Sequence, residues 1–499
     1  MTPRRGPRAG DLFAGVTVAL VLIPQSIVFA ELVGVPPERG LYVAAFATMA
    51  AAPFASSPFL QTGPVGITAL LSLGAAADVA VFGTDDYVST LTLLAFVVGV
   101  ARLGIGLARL GGVAYLMSQP VLAGFTPAAA VVLIATQVPA VLGAEDTEGG
   151  IVTAAASALV HPGQWRAASI VLAGGALVLM VGGRRLHPLF PGVLLAVALG
   201  VVLTETGAFD GSTIGAVDAG LPALDLDLPW DHAAELVLPG VVIAIVGFAE
   251  ASTIARTYAA ADRTPWNANR EFVSQGVANV AAGLVGGFPV GGSLSRSALN
   301  RYAGARTRWA GGVTGLTVLA FFPFTSVLEG LPRAVLGAVI IGAVAGLVRL
   351  APIVELRRYS RMQFWVAVST FVMTLALAPR VQLAVLIGVV VAVAAHLRRE
   401  VLLSVPKWTE GATLHIKPRG VLYFASVPGL ERTFLNLLAQ HPDAERLVVH
   451  LDGLGRMDVT GALALKALLD DARLAGIDAS LGDVPPHVAK IVERVLGER

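Results

Sequence analysis

The sequence predicts an all-α polytopic membrane protein with fourteen transmembrane segments, followed by a small α/β domain. Only 14% of the 499 residues are charged and 55% are hydrophobic, whereas soluble domains carry about 25% charged residues. Apolar stretches of membrane-spanning length follow one another up to about residue 400. From about Gly411 the composition becomes that of a soluble domain, and every lysine lies after residue 400.

The composition also excludes several classes of function. A net charge of +1 gives nucleic acid no bulk electrostatic attraction. The chain has no cysteine, so it offers no disulfide, thiolate metal site or cysteine nucleophile. Its histidines are isolated, and no nucleophile–base set is present. We therefore expect no enzyme, no catalytic residue, no cofactor and no bound metal, and we expect the apolar part to lie in a lipid bilayer.

Short polar joints divide the apolar part into spans. We place them at 12–33, 41–57, 64–78, 88–108, 117–142, 167–182, 188–206, 236–256, 271–290, 294–307, 309–329, 334–349, 363–378 and 381–397. The stretch 150–160 is expected to form a helix at the membrane interface.

The arginines indicate the orientation. With the N-terminus in the cytoplasm, the inside joints hold most of the arginines before residue 400, among them Arg102, Arg296 and Arg349. The outside joints hold Arg39, Arg166, Arg333 and Arg380. This asymmetry follows the positive-inside rule. We expect a plasma (inner) membrane protein whose N-terminus and C-terminal domain are cytoplasmic.

Two spans are predicted to be broken. The joint 256–270 and the stretch 296–308 are both arginine-rich and should both lie inside, although one full span separates them. The chain must return near 288–292, by an extended piece followed by a half-helix from about Ser293–Ser295. The stretch 64–78 is also short, because about fifteen helical residues cover roughly 22 Å of a core roughly 30 Å thick.

The broken spans are the third and the tenth, which hold matching places if the chain contains two seven-span repeats. Corresponding interrupted spans in two halves are typical of inverted-repeat transporters. We predict an N-terminus over 1–10, a transmembrane domain over 11–400 with repeats 11–206 and 235–398, a linker over 401–410, and a C-terminal domain over 411–499.

Two half-helix N-termini that meet at mid-membrane would form an anion site, because their free N–H groups and dipoles are electropositive. At the second break, Gly291 and Gly292 allow close backbone approach and Ser293 follows. Ser295 can donate to an oxyanion and Arg296 adds a full positive charge. The alternative is that Ser295 only caps the helix and Arg296 is a positive-inside residue; the broken span favours binding.

Gln25 lies beside a proline at mid-depth in the first span, and Phe29 follows one turn later on the same face. A buried amide needs a partner or a ligand. Gln25 therefore either faces a cavity or bonds a neighbouring helix, and Phe29 is either a cavity wall or an ordinary packing residue.

Two carboxylates are candidates for binding a coupling ion. Glu250 lies well inside the eighth span, where an ionisable residue indicates function. Its alternatives are an ion pair with Arg256 or Arg296 and a place near the cytoplasmic surface. Glu38 lies at the outer end of the second span, where it pairs with Arg39 in a loop, binds a coupling proton or gates the cavity.

The tail alternates strand and helix patterns from Thr413. We predict strands at Leu414–Ile416, Val421–Phe424, Arg446–Leu451 and Asp478–Leu481, and helices at Leu430–Leu438 and Thr460–Ala475. Asp458 or Thr460 is interpreted as a helix cap rather than as a catalytic residue.

Three sequence features occur in order and together resemble one family. Pro24-Gln25 with Pro36-Pro37 and Gly40-Leu41-Tyr42 is similar to the first-span signature of the SulP family of secondary anion transporters (sulfate permeases). The run from Gly292 to Ser297 is similar to its tenth-span motif, and the tail resembles a STAS domain.

This resemblance implies core and gate domains, an anion held between the third and tenth half-helices, movement of the core past the gate, and a homodimer with cytoplasmic STAS domains. The residues that we predict to bind the substrate are Gln25, Phe29, Val65, Gly66, Ser293, Leu294, Ser295 and Arg296. Glu250 and Glu38 are predicted to couple transport to an ion.

Two features depart from the family pattern. Glu38 and Arg39 follow the double proline where the family often has an apolar or aromatic residue. The sequence Asp458-Val459-Thr460-Gly461 lacks the serine of STAS switches, so we do not expect a phosphorylation switch.

We expect a secondary transporter of a small anion of the sulfate, bicarbonate or dicarboxylate class, coupled to protons, with sodium as the alternative ion. An anion channel or uncoupled exchanger and a STAS-linked membrane sensor are the alternative functions. A nucleobase–proton symporter is disfavoured by the tail and by Arg296.

Overall fold

A computed structural model describes residues 6–115, 118–144, 150–187, 189–217, 220–224, 228–401 and 403–497. Its contacts divide the chain into two units, residues 1–389 and 390–499. The boundary lies inside the last apolar helix.

The first unit consists of helices and two short strands. The helices are α1 (Ala9–Val33), α2 (Pro37–Tyr42), α3 (Thr48–Ala51), α4 (Gly66–Ala77), α5 (Asp85–Leu107), α6 (Gln119–Leu142), α7 (Ile151–Val160), α8 (Ala167–Leu186), α9 (Gly192–Glu205), α10 (Ala233–Ala261), α11 (Ala268–Leu284), α12 (Leu294–Tyr302), α13 (Trp309–Phe321), α14 (Arg333–Val344), α15 (Ala351–Tyr359), α16 (Arg361–Ala376) and α17 (Val381–Val401). The strands are β1 (Gln61–Gly63) and β2 (Gly291–Ser293).

Each predicted span corresponds to a helix, and the third and tenth correspond to half-helices with extended lead-ins. By length and apolar composition, seven helical stretches of the described chain are each able to cross a membrane. The other predicted spans coincide with shorter helices. The predicted starts of the fifth and seventh spans, 117 and 188, lie outside the described residues.

Two details of the helices differ from the prediction. The second span was predicted at 41–57, but its helix begins at Pro37 and continues through a π turn at Val43–Ala47 to Ala51. Proline fits the first helical turn, whereas Pro53 cannot donate to a continuing helix. The segment Ala351–Tyr359 was predicted as a joint and is the helix α15.

The helices pack into two bundles. In the first, α5 packs against α10 and α11, and α1 packs against α2, α4, α12 and α13. In the second, α6 packs against α14 and α16, and α8 packs against α9 and α14. We name these the core bundle and the gate bundle, as the expected core and gate domains. The half-helices α4 and α12 both belong to the core bundle.

The two breaks cross each other. Strands β1 and β2 pair antiparallel, with Gln61 opposite Ser293 and Gly63 opposite Gly291. Irregular backbone is tolerated at membrane depth only when its polar groups find partners. Asn279 of α11 supplies two of them: its Nδ2 donates to the Val290 carbonyl at 3.2 Å, and its Oδ1 accepts from the Val290 N–H at 2.9 Å.

The second unit contains a small α/β domain. Its strands are β3 (Lys407–Glu410), β4 (Thr413–Ile416), β5 (Gly420–Leu422), β6 (Arg446–His450), β7 (Leu454–Met457) and β8 (Asp478–Gly482), and its helices are α18 (Val427–Gln440), α19 (Val459–Leu474) and α20 (Pro486–Leu496). Four strands form a sheet in the order β3-β4-β6-β8, and β5 pairs with β7.

The predicted tail elements are all present within a few residues, and three more were missed. Helix α20 and strand β7 were not predicted, and β3 occupies the last four residues of the predicted linker. Asp458 caps α19 by accepting a hydrogen bond from the Gly461 N–H at 2.7 Å. This confirms its interpretation as a helix cap.

Candidate functional site

The two half-helix N-termini differ in how they are capped. Helix α4 begins at Gly66, and the preceding Val65 is extended and offers no side-chain cap. Helix α12 begins at Leu294, and Ser293 caps it by accepting from the Arg296 N–H at 3.4 Å. Ser293 is therefore the cap, and the alternative that Ser295 only caps the helix is wrong.

Arg296 is the buried cation of the site, with 2% of its surface exposed. Its Nη1 donates to Gln25 Oε1 at 3.1 Å, and its Nη2 donates to the Pro64 carbonyl at 2.7 Å. Arg296 thus ties the first span to the lead-in of α4. Its buried Nε has no hydrogen-bond partner among the described residues. Such an orphaned donor on a charged group is costly unless a ligand or water satisfies it.

Gln25 has both of the roles that were predicted as alternatives. It faces the cavity, and its Oε1 accepts a hydrogen bond from a neighbouring helix, from Arg296. Phe29 packs directly over the end of α4, since a Cβ on Gly66 would lie 3.3 Å from Phe29 Cε1. Leu294, the first residue of α12, is 47% exposed although this helix lies within an apolar bundle. The ends of both half-helices therefore border open space.

That space is a cavity of about 220 Å³. Every residue that we predicted to bind the substrate lines it, together with one predicted coupling residue: Gln25, Phe29, Val65, Gly66, Ser293, Leu294, Ser295, Arg296 and Glu250. The hydrogen bonds of the Arg296 guanidinium run to Gln25 and Pro64 rather than to Glu250. Arg349 also lines it, so the cavity holds a carboxylate, two guanidinium groups and two helix N-termini.

A wider cavity of about 470 Å³ continues from the first and shares Glu250, Leu294 and Arg349 with it. It extends to Gln119 at the start of α6 and to Tyr258 near the end of α10. The two cavities together form a path from the ends of the half-helices toward the end of the bundle where α10 ends.

Comparison with known proteins shows the family to which the chain belongs. The model of the sulfate permease family matches residues 9–370, and that of the STAS domain matches residues 407–496. The chain belongs to the sulfate permease family. A probable sulfate transporter of Mycobacterium tuberculosis is 30% identical over 498 residues, which cover 94% of this chain and 88% of that protein.

Solved structures of similar fold support the sulfate permease architecture. The murine Slc26a9 anion transporter, solved in an inward-facing state, superposes with a TM-score of 0.88 at 18% identity, covering 99% of this chain and 89% of that one. The transmembrane domain of the cyanobacterial bicarbonate transporter BicA superposes with a TM-score of 0.66 at 24% identity, covering 77% and 97%. The protein is a multi-pass membrane transporter and not an enzyme.

Glu38 lies apart from the permease cavity. It occupies the first turn of α2 and lines neither of the two cavities described above. Its neighbour Arg39 donates to the carbonyl of Gly286, at the end of α11. The structure therefore separates Glu38 from Glu250, with which it was grouped, and it gives Arg39 a partner other than Glu38.

Two arginines of the permease have roles that were not predicted from the sequence, and one of them lines the cavities. Arg102 was counted with the inside joints, but it is fully buried in α5, and its Nη1 donates to the Val290 carbonyl at 2.7 Å. It also donates to the carbonyls of Ala244 and Ile243 in α10. Arg349 was likewise read as a joint residue, but it lines both cavities. An arginine inside an apolar span was the available signal for Arg102.

Proposed function

We propose that this protein is a secondary active transporter of small anions that works by proton-coupled symport and alternating access. The anion belongs to the sulfate, bicarbonate or dicarboxylate class. Gln25, Phe29, Val65, Gly66 and the run Ser293–Arg296 bind it between the ends of α4 and α12.

The unpartnered Nε of Arg296 carries this proposal. Each Nη of the guanidinium donates one hydrogen bond, to Gln25 and to Pro64, and these two bonds fix its position. Its Nε is buried and has no protein partner among the described residues. An anion in the 220 Å³ cavity would satisfy this donor together with the uncapped N–H groups of α4. The name of the Mycobacterium tuberculosis relative, a probable sulfate transporter, supports the class of substrate.

Glu250 is the proposed proton-coupling group. It lines the same cavity as Arg296, so its charge acts directly on a bound anion. An ionised carboxylate disfavours the anion by like-charge repulsion, and a neutral one does not. Proton binding and anion binding are therefore expected to favour each other. Glu38 is kept as a second coupling group that acts from outside the cavity, and sodium is the alternative coupling ion.

The remaining parts of the proposal concern location and assembly. The arginine distribution supports insertion into the plasma (inner) membrane with the N-terminus and the STAS domain in the cytoplasm. We further propose a homodimer. In this orientation the wide cavity that reaches Tyr258 opens toward the cytoplasm, as expected for an inward-facing state.

Uptake into proteoliposomes under an imposed pH gradient tests the function. A panel of labelled sulfate, bicarbonate and dicarboxylates should show concentrative uptake of at least one anion that requires the gradient. A fast flux that ignores the gradient would replace this proposal by a channel or an uncoupled exchanger. No flux of any anion would favour a sensor that acts through its STAS domain.

A further inference from the structure

Two ion pairs join the core bundle to the gate bundle at one end of the molecule. Glu31 Oε1, at the end of α1, lies 3.5 Å from Arg333 Nε, at the start of α14. Asp78, at the end of α4, pairs with Arg380, which immediately precedes α17. Asp78 also accepts from Gln382 Nε2 at 3.1 Å. In both pairs the carboxylate belongs to the core bundle. Arg333 begins α14 of the gate bundle, and Arg380 lies between α16 of that bundle and α17. Helix α17 packs on α16, since a Cβ on Gly388 would lie 2.6 Å from Thr370 Oγ1, so both arginines belong to the gate side.

This end lies opposite to the opening of the cavities. Helix α4 runs from its cavity end at Gly66 to Asp78, and α5 begins shortly afterwards. Asp86 at the start of α5 lies 3.7 Å from His232, which precedes α10. The starts of α5 and α10 therefore share the end that carries the two ion pairs. The cavities open at the other end, where α10 reaches Tyr258.

All four charges oppose the dipoles of their own helices. A helix favours acidic groups near its N-terminus and basic groups near its C-terminus. Here Glu31 lies in the last turn of α1 and Asp78 at the C-terminus of α4, whereas Arg333 is the first residue of α14 and Arg380 precedes α17. Their own helices destabilise these charges, so each depends on its partner in the other bundle.

The packing beneath the second pair is equally close. A Cβ on Gly74 in α4 would lie 2.4 Å from the Pro379 carbonyl oxygen and from Gln382 Oε1. The glycine therefore lets the core bundle approach the gate bundle directly at this end.

We propose that these two ion pairs are a latch that closes the end of the molecule opposite the cavity and holds the transporter in its present conformation. The inference rests on the alternating-access part of the proposed function. When the core bundle moves past the gate bundle, both pairs must separate, and four charges are left against unfavourable helix dipoles. The latch therefore sets the fraction of molecules that expose the cavity at the Arg333 end.

The absence of cysteine makes a single-cysteine test clean. Ala343→Cys places a thiol in the cavity wall, on the gate side, at a position that is not one of the predicted binding residues. Val81→Cys, at a position 74% exposed just after α4, marks the Arg333 face. An impermeant maleimide added to that face reports how often the cavity opens there.

Neutralising a pair with Glu31→Gln or Asp78→Asn should speed labelling of the cavity thiol from the Arg333 face by about two- to fivefold, the range for half-exposed ion pairs. The double variant should exceed either single one. The charge exchanges Glu31→Arg with Arg333→Glu, and Asp78→Arg with Arg380→Asp, re-form the pairs and should label more slowly than the neutral variants. They should not reach the native rate, because the exchanged charges are favoured by their own helix dipoles and depend less on pairing. Asp86→Asn breaks the pair with His232 at the same end but within the core bundle, and it should leave the rate unchanged.

Unchanged labelling in both neutral variants, or charge exchanges that label as fast as the neutral variants, would overturn the latch. If a transported anion speeds labelling in the native background while the neutral variants have no effect, alternating access stands and only the latch fails. If the cavity thiol is never labelled from the Arg333 face, with or without anion, alternating access itself fails and the latch fails with it.

Discussion

The two repeats contribute unequally to the cavity that they share. The first repeat supplies Gln25, Phe29, Val65, Gly66 and Ile67, all of them neutral. The second repeat supplies every charged side chain in the lining: Glu250, Arg296 and Arg349. Gln25 on α1 and Glu250 on α10 hold matching places in the first helix of each repeat, and α4 and α12 are the matching half-helices.

This difference shows that the backbone geometry and the charge of the site have separate origins. Both repeats form a half-helix whose N-terminus borders the cavity. Only the second repeat adds hydroxyl and ionisable side chains to the lining. We infer that the first repeat sets the shape and bare N–H groups of the site, and that the second sets its charge preference and its coupling to protons.

Removing the positive charge of Arg296 in the second repeat should have the largest effect on anion affinity. Arg296→Ala deletes the cation and also the hydrogen bonds to Gln25 and Pro64. Charged hydrogen bonds contribute about 1.5–3 kcal/mol, so we expect the apparent anion affinity in proteoliposome uptake to fall about 10- to 100-fold. The anion affinity of Arg296→Lys should lie between those of the native protein and of Arg296→Ala. Replacing the exposed Arg306 by alanine should leave the native affinity unchanged. If Arg296→Ala keeps the native anion affinity, Arg296 does not bind the anion and only helps to orient the chain in the membrane.

Replacing Glu250 of the second repeat by an amide like that of Gln25 in the first repeat tests the coupling of anion transport to protons. Glu250→Gln makes the residue like Gln25 and removes a proton-binding group. Accumulation driven by a pH difference of about one unit should fall from about tenfold to about onefold, whereas anion affinity should change much less. Glu235→Gln, in the first turn of the same helix, is the matched control. Full pH-driven accumulation in Glu250→Gln would exclude Glu250 from coupling.

Filling the end of the first repeat's half-helix tests its role in shape. A Cβ on Gly66 would lie 2.9 Å from Leu133 Cδ1 and 3.3 Å from Phe29 Cε1. Gly66→Ala should therefore crowd the cavity and weaken anion affinity about fivefold. Gly174→Ala, at a helical glycine with nothing within 4 Å of the added Cβ, controls for a general effect on helix stability. Equal affinities in the two variants would show that α4 does not shape the site.

Removing the cap of the second half-helix should give the smallest effect. Ser293→Ala loses the long hydrogen bond, 3.4 Å, from the Arg296 N–H, so we expect about a twofold loss of affinity. Thr84→Ala removes the equivalent cap of α5, where Thr84 accepts from the Tyr87 N–H at 3.2 Å, and should leave affinity unchanged. A loss above about tenfold for Ser293→Ala would mean that its hydroxyl contacts the anion itself.

The sequence was sufficient to predict the broken spans, because arginine-rich joints at 256–270 and 296–308 leave too little chain for two full helices. The same reasoning failed for Arg102. Counting arginines to find the orientation assumes that each arginine lies in a joint between spans. It therefore does not recognise a guanidinium that donates hydrogen bonds to three backbone carbonyls inside the bundle.

Other parts of the site depend on tertiary packing and have no local signal. Arg349 reaches the cavity only because α14 packs against the core bundle and its following turn ends there. The bond between Gln25 and Arg296 joins residues 271 positions apart. Strand β3 was read as linker, because four exposed residues form a strand there only by pairing with β4.

Anion protection of two single cysteines tests the shared site most directly. Val65→Cys and Leu294→Cys place thiols at the ends of α4 and α12, in a chain that has no other cysteine. One anion, chosen from the uptake panel, should slow maleimide labelling of both variants over the same concentration range. Protection of only one thiol, or of neither, by an anion that the protein transports would contradict a site formed by both repeats.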